Sequence, residues 1–181
     1  MANLSNTYNL QEFTLPAGHE FTFTSNGNKI IIKAVQYTYI QQFEGRNVYN
    51  LGFGDYDLDL HQIIDQAKSN NGDAYKVFRT VLSTVPKFLE IFPNAIIMVQ
   101  GSDSGSDFTE NCKKTCIRLC AVKCRRFNQR ISIYRNFVEK NFQELSSIYW
   151  FLGGFVEKHL SIITELYIPG RTYDAILLFK K

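Results

Sequence analysis

The sequence predicts an α+β fold: an antiparallel sheet, built from an N-terminal hairpin or meander plus later strands, with about three helices packed on one face. Three observations lead there. Phe21 and Phe23 alternate with Thr22 and Thr24, pause at Ser25-Asn26-Gly27-Asn28, and give way to the β-branched run Ile30-Ile31-Ile32, the pattern of a hairpin. Val77, Phe78, Val81, Leu82 and Val85 recur at helical spacing. Strands come first, then helices flanking a strand, then strands again, an order that suits α+β better than a doubly wound sheet.

Taken in order, Tyr8 to Leu15 has the composition of an opening strand, and Asn26-Gly27 supplies the positive φ angles of a type I′ turn between the next two. Glu44-Gly45-Arg46-Asn47 is a turn, and Val48 to Phe53 completes a four-stranded meander. Leu58, Leu60, Ile63, Ile64 and Ala67 predict a short helix over 58–68. Asn70-Asn71-Gly72-Asp73 then stops and restarts the chain, with Asp73 as N-cap of the helix from Ala74. Pro86 has no N–H for the carbonyl of Leu82, so that helix ends or kinks there, and Lys87 to Phe92 can form a further turn before Pro93. Ala95-Ile96-Ile97-Met98-Val99, apolar on both faces, reads as a buried strand. After the loop Gly101 to Ser106, Asp107 and Glu110 have capping-box spacing, which predicts a helix from about Phe108 to Phe127; a second follows from Arg130 to Leu145. Ile148 to Phe155 and Tyr173 to Phe179 close the chain as strands, with a short element between Glu157 and Glu165.

A chain of 181 residues, 45% hydrophobic and 20% charged, carries enough apolar mass for one sizeable core, so a single domain over 1–181 is expected. Its 15 Phe and 10 Tyr against 4 Pro exclude linker-like and low-complexity classes. No apolar stretch approaches the ~20 residues of a membrane span. The amino terminus shows no apolar signal region, so the expected compartment is the cytoplasm and no membrane partner is expected. Charge is uneven: Asn111 to Val138 holds eight basic residues and no acidic one, while Glu44 to Asp73 holds six acidic residues against Arg46 and Lys68. The two segments pair within the fold, form solvated faces, or offer an anion-binding surface.

Several pieces together resemble a family of uncharacterised single-domain proteins found mainly in Bacteroidetes. They are Phe21-x-Phe23-x-Ser25-x-Gly27 with Ile32 and Val35, Tyr49 to Asp55, Asn70 to Asp73 with Lys76-Val77 and Thr80-Val81, Gly101-Ser102, and Arg130 to Arg135. The resemblance covers about Phe21 to Phe179 and implies fold and host type, with no activity to carry over. That family moves from the Gly-Ser step to the Arg-x-x-x-Tyr helix within a few residues, whereas some 28 intervene here. Either 103–129 is a helical insertion, or Arg118-Leu119-Cys120, in place of Arg130 and Tyr134, is the counterpart of that helix.

Asp55, Asp57 and Asp59 alternate, so on an extended segment all three project from one side. Such oxygens suit Mg²⁺ or Mn²⁺ and, with Asp73, would serve a metal-dependent phosphoesterase or nuclease; a strand end and helix capping explain the same residues. Ser102 lies in a loop placed like a phosphate cradle, but the loop lacks the Gly-Lys-Ser/Thr of a P-loop and carries Asp103 and Asp107. Lys114, Arg118 and Arg125 fall within about 40° on a helix, a positive stripe that suits phosphates. Cys112, Cys116, Cys120 and Cys124 span about 18 Å on one helix, too far for one zinc ion, and read as a buried stripe of reduced thiols. The functional expectation is a non-enzymatic binding module without cofactor. It binds nucleic acid or another polyanion through 113–135, or a protein partner; the anion-site candidates are Lys114, Arg118, Arg125, Arg130, Tyr134 and Ser102. The phosphoesterase or nuclease is the alternative.

Overall fold

The structure is a computed structural model that describes residues 6–64, 71–101, 103, 108–115, 124, 127–156 and 162–181. Its fold is α+β, with nine strands and four helices among these residues. Contacts divide the chain into two compact units, Met1–Ile97 with Lys180 and Met98–Phe179 with Lys181.

The first unit is an antiparallel meander of β1 (Gln11–Leu15), β2 (Gly18–Asn26), β3 (Ile30–Phe43), β4 (Arg46–Asp57) and β5 (Gln62–Ile64), with helix α1 (Ala74–Ile91). Register aligns Phe21 with Val35 and Val35 with Phe53, so His19, Phe21, Phe23, Val35, Tyr37, Tyr49 and Leu51 share one face. That face is mostly apolar and receives α1, whose buried stripe is Val77, Thr80, Val81, Thr84, Val85, Phe88 and Leu89. The Phe88 ring stacks on Tyr37 at 4.0 Å between centroids. The Tyr37 and Thr84 hydroxyls, both buried, bond at 2.7 Å, so neither is left unsatisfied under the helix.

The sequence places most of these elements, and three details differ. The β2–β3 hairpin forms without a type I′ turn, because neither Asn26 nor Gly27 has positive φ. That geometry falls instead at Glu44 (φ 49°) and Gly45 (φ 75°), the two residues between β3 and β4. Gly27 serves close approach: a Cβ there would meet the Asn71 side chain at 2.7 Å. Residues 58–64 are not helical. Asp57 Oδ1 accepts the N–H groups of Asp59 and Leu60, both at 2.9 Å, and this reversal lays β5 back on β4; residues 65–68 of the expected helix lie outside the described residues. Finally, of the two outcomes expected at Pro86 the end does not occur: α1 continues through it to Ile91, held by the burial of Phe88 and Leu89 beyond the proline.

In the second unit the strand order is β6 (Ile96–Gln100), β9 (Ala175–Lys180), β7 (Tyr149–Val156) and β8 (Ile162–Leu166), with β7 and β8 antiparallel; the boundary between the units falls within β6. Gly153 on β7 makes room for the buried Tyr173 ring, which a Cβ would meet at 2.1 Å. The Tyr173 hydroxyl donates to Glu165 Oε1 at 2.7 Å and accepts the Ile168 N–H at 3.0 Å.

The helices of this unit are α2 (Phe108–Thr115), α3 (Gln129–Lys140) and α4 (Phe142–Ile148). The helix expected over 130–145 is two. Asn141 separates them, its side-chain amide donating to the Phe137 carbonyl at 2.8 Å in competition with the backbone. The helix expected over 108–127 does not run through: Cys112 and Cys124 Sγ lie 3.2 Å apart, where a straight helix would hold those residues about 18 Å apart. Asp103 caps α3 from a distance, its Oδ2 accepting the Arg130 N–H at 2.9 Å, while its carbonyl accepts the Asn128 N–H at 3.1 Å.

Candidate functional site

A polar cluster sits at one end of the first unit's core, where β2, β3, β4 and the start of α1 meet. Ser25, in register with Phe21 and Phe23, is fully buried and would leave an unsatisfied hydroxyl. Asp73 supplies the partner: its Oδ2 accepts Ser25 Oγ–H at 2.6 Å and the Tyr8 hydroxyl at 2.8 Å. Asp73 holds the N-cap position of α1, with Val77 N–H on its carbonyl at 2.9 Å, but its side chain makes no cap bond and reaches into the cluster. Asn71 donates from Nδ2 to Ser25 Oγ and to the Lys29 carbonyl, both at 2.9 Å, and accepts the Lys29 N–H at 3.0 Å. Beside these, Lys33 Nζ pairs with Asp55 Oδ1, and both side chains are about nine-tenths buried. The Lys76 ammonium lies 4.0 Å from the Tyr8 ring centroid.

Electrostatics tie the cluster together. Burial alone would push the Asp73 carboxyl up; the Ser25 and Tyr8 hydroxyls, its own backbone N–H and the Lys33 charge outweigh this and hold it below the usual carboxylate value. Tyr8 moves the other way, raised by burial and then by its bond to, and the charge of, Asp73. A carboxylate whose value is lower when folded stabilises the fold above its unfolded value and loses that contribution as pH falls through the folded one. Asp73→Asn is therefore expected to flatten the acid limb of the stability curve below about pH 4, measured by urea titration at stepped pH; an unchanged acid limb would refute the assignment.

The sequence-predicted residues distribute as follows. Asp55 and Asp73 are brought together, with Lys33 acting on both. Asp57 is taken up by the turn it caps, and Asp59 is exposed in that turn. Among the described residues, no three His, Cys, Asp or Glu side chains converge as metal ligands. Lys114 is exposed on α2, 3.4 Å from Asn111 Oδ1. Arg130 and Tyr134, one turn apart on α3, are both half-buried; burial pushes the Tyr134 phenol up to about 12, against the opposing Arg130 charge. Ser102, Arg118 and Arg125 lie outside the described residues, as do Cys116 and Cys120.

Sequence reasoning missed Tyr8, Ser25, Lys33 and Asn71. A signal existed for two of them: Ser25 and Lys33 are polar at core-facing positions of strands whose neighbours in register are aromatic or aliphatic. Nothing in the sequence joins Tyr8 to Asp73, 65 residues away. A cleft of about 320 Å³ shares Tyr8 with the cluster and is lined also by Asn9, Thr22, Phe23, Asn26 and Ile32.

Residues 5–106 match the model of a family of unknown function, DUF6934, over more than half of the chain. The chain belongs to this family. No curated protein and no solved structure matches it. The DUF6934 segment contains every member of the polar cluster, so the cluster is part of the family's own domain. Its end at 106 leaves Lys114, Arg130 and Tyr134 beyond the match, and shortens the extent that the sequence resemblance to uncharacterised proteins implied.

Proposed function

We propose that this DUF6934 chain is a non-enzymatic binding module that takes a polyanion, nucleic acid foremost, through its basic segment 113–135. The observation that carries the reading is the exposed Lys114 on α2, set in a stretch with eight basic and no acidic residues. Phosphate contacts of this kind give affinity with little sequence information. The acidic side of the chain supports it indirectly. Asp55 and Asp73 have Lys33, Ser25 and Tyr8 as internal partners, so the family-matched unit spends these carboxylates on its own core. The same facts weigh against the metal-dependent phosphoesterase or nuclease, whose ligands Asp55 and Asp57 are already engaged. The proposal includes the cytoplasm of a bacterium of the Bacteroidetes type. Among the described residues, no helix is long and apolar enough to cross a membrane.

Fluorescence anisotropy with short single-stranded and duplex DNA or RNA tests it. Affinity is expected to fall steeply with salt, and Lys114→Gln with Arg118→Gln and Arg125→Gln to reduce the slope of log K on log salt by roughly 2 to 3. No binding at low salt, or a slope indifferent to the three substitutions, would overturn the reading.

A further inference from the structure

Four cysteines in one basic stretch are read above as a buried stripe on a single helix, and the structure takes Cys112 and Cys124 out of that arrangement. Cys112 lies on α2 and is half-buried, Cys124 lies ahead of α3 and is buried, and their Sγ atoms are 3.2 Å apart. That is about 1.2 Å longer than a disulfide bond, a gap that small side-chain rotations close. Both residues have basic neighbours in the chain: Lys113 and Lys114 after Cys112, and Lys123, Arg125 and Arg126 around Cys124. The thiolate is the attacking species in thiol oxidation and exchange.

We propose that Cys112 and Cys124 are a redox-active dithiol that a peroxide converts to an intramolecular disulfide. Cys112, the more exposed, attacks one peroxide oxygen. Its S–O bond forms as the O–O bond breaks, and the thiol proton leaves with the departing hydroxide as water. The sulfenic acid so made faces Cys124. Cys124 sulfur displaces the hydroxyl, the S–S bond forms as the S–O bond breaks, and the second thiol proton leaves with that hydroxyl as a second water. Two thiols give up two electrons and two protons, and one hydrogen peroxide becomes two waters. The product ties α2 to the chain entering α3 and closes 113–123, which holds four of the stretch's eight basic residues, into a covalent loop.

The sequence permits a direct test on the wild-type chain, because trypsin puts each cysteine on its own peptide. Cys112 falls in Phe88–Lys113, Cys116 in Thr115–Arg118, Cys120 in Leu119–Lys123 and Cys124 in Cys124–Arg125. After treatment of the reduced protein with one equivalent of hydrogen peroxide and blocking of remaining thiols, mass spectrometry is expected to find Phe88–Lys113 joined to Cys124–Arg125. The joined mass should lie about 2 Da below the sum of the two, and the species should vanish on reduction. Cys116→Ser with Cys120→Ser should retain the cross-link, and Cys124→Ser should leave Cys112 as a sulfenic acid trapped by dimedone. A dominant cross-link through Cys116 or Cys120, four blocked peptides after peroxide, or stoichiometric zinc retained by the purified protein would each overturn the proposal.

Discussion

Lys33→Met is expected to destabilise the first unit by about 3–5 kcal/mol, because it leaves Asp55 as a buried carboxylate with its cation gone. Both side chains of the pair are about nine-tenths buried, so water does little to screen their attraction or to rescue a survivor. Lys33 and Asp55 are also partners in the β3–β4 register, which places the lost charge inside a continuous ladder where the backbone cannot swing it outward. The substitution removes a favourable charge from Asp73 as well, so the damage extends to the Ser25 and Tyr8 hydrogen bonds. Asp55→Asn tests the other side and is expected to cost less, since an amide keeps polar contact with Lys33 without full charge. Replacing both, Lys33→Met with Asp55→Leu, is expected to recover most of the loss, because a matched apolar pair has no desolvation penalty. Hydrogen exchange resolved by peptide reads the opening free energy of β3 and β4 in each variant. If Lys33→Met and the double variant are equally unstable, the pair acts through packing and not through charge.

That pair also shows how far the sequence speaks. The meander, α1 and the buried strand β6 were legible because each rests on a local pattern: alternation at Phe21 to Ser25, helical spacing from Val77 to Val85, an unbroken apolar run at Ile96 to Val99. Errors arose where a side chain chose a distant partner over a nearby one. Asp73 stands at the N-cap position expected of it, yet its carboxylate turns to Ser25, 48 residues away. Asp103 does the reverse, capping α3 from 27 residues upstream. The run Asp55-Tyr56-Asp57-Leu58-Asp59 looked like one constellation because strand geometry sends alternate side chains to one face. In the fold Asp55 faces Lys33 in the core, while Asp57 ends the strand by capping a reversal that period-two reasoning does not contain. For the cysteines, the single-helix spacing fails at the pair the structure describes: a straight helix would hold Cys112 and Cys124 far apart, and their sulfurs lie 3.2 Å apart.

Phe88→Ala is expected to cost about 3–5 kcal/mol, the range for emptying a fully buried aromatic site. Phe88 is 0% exposed and lies over the face where the meander's aromatic residues collect. Its ring stacks on Tyr37 at 4.0 Å, meets Tyr49 edge-on at 5.1 Å and Phe92 at 4.9 Å, and has His19 at 6.4 Å. Strands β2, β3 and β4 thus all contact α1 through this one side chain, and no neighbour can fill the space without leaving its own contacts. Its position past Pro86 adds a second effect. The proline removes a backbone hydrogen bond from the helix, so the last turns of α1 depend on burial more than on the backbone ladder. Phe88→Ala should therefore raise amide exchange selectively over 87–92 before the rest of the unit opens, whereas Val77→Ala, near the other end of α1, should leave that segment protected. Tyr75, 87% exposed on the same helix, provides the control: Tyr75→Ala should stay within about 0.5 kcal/mol of the parent. Urea unfolding followed by far-UV circular dichroism gives the three stabilities. A Phe88→Ala loss no larger than that of Tyr75→Ala would mean that the aromatic cluster does not hold α1 to the sheet.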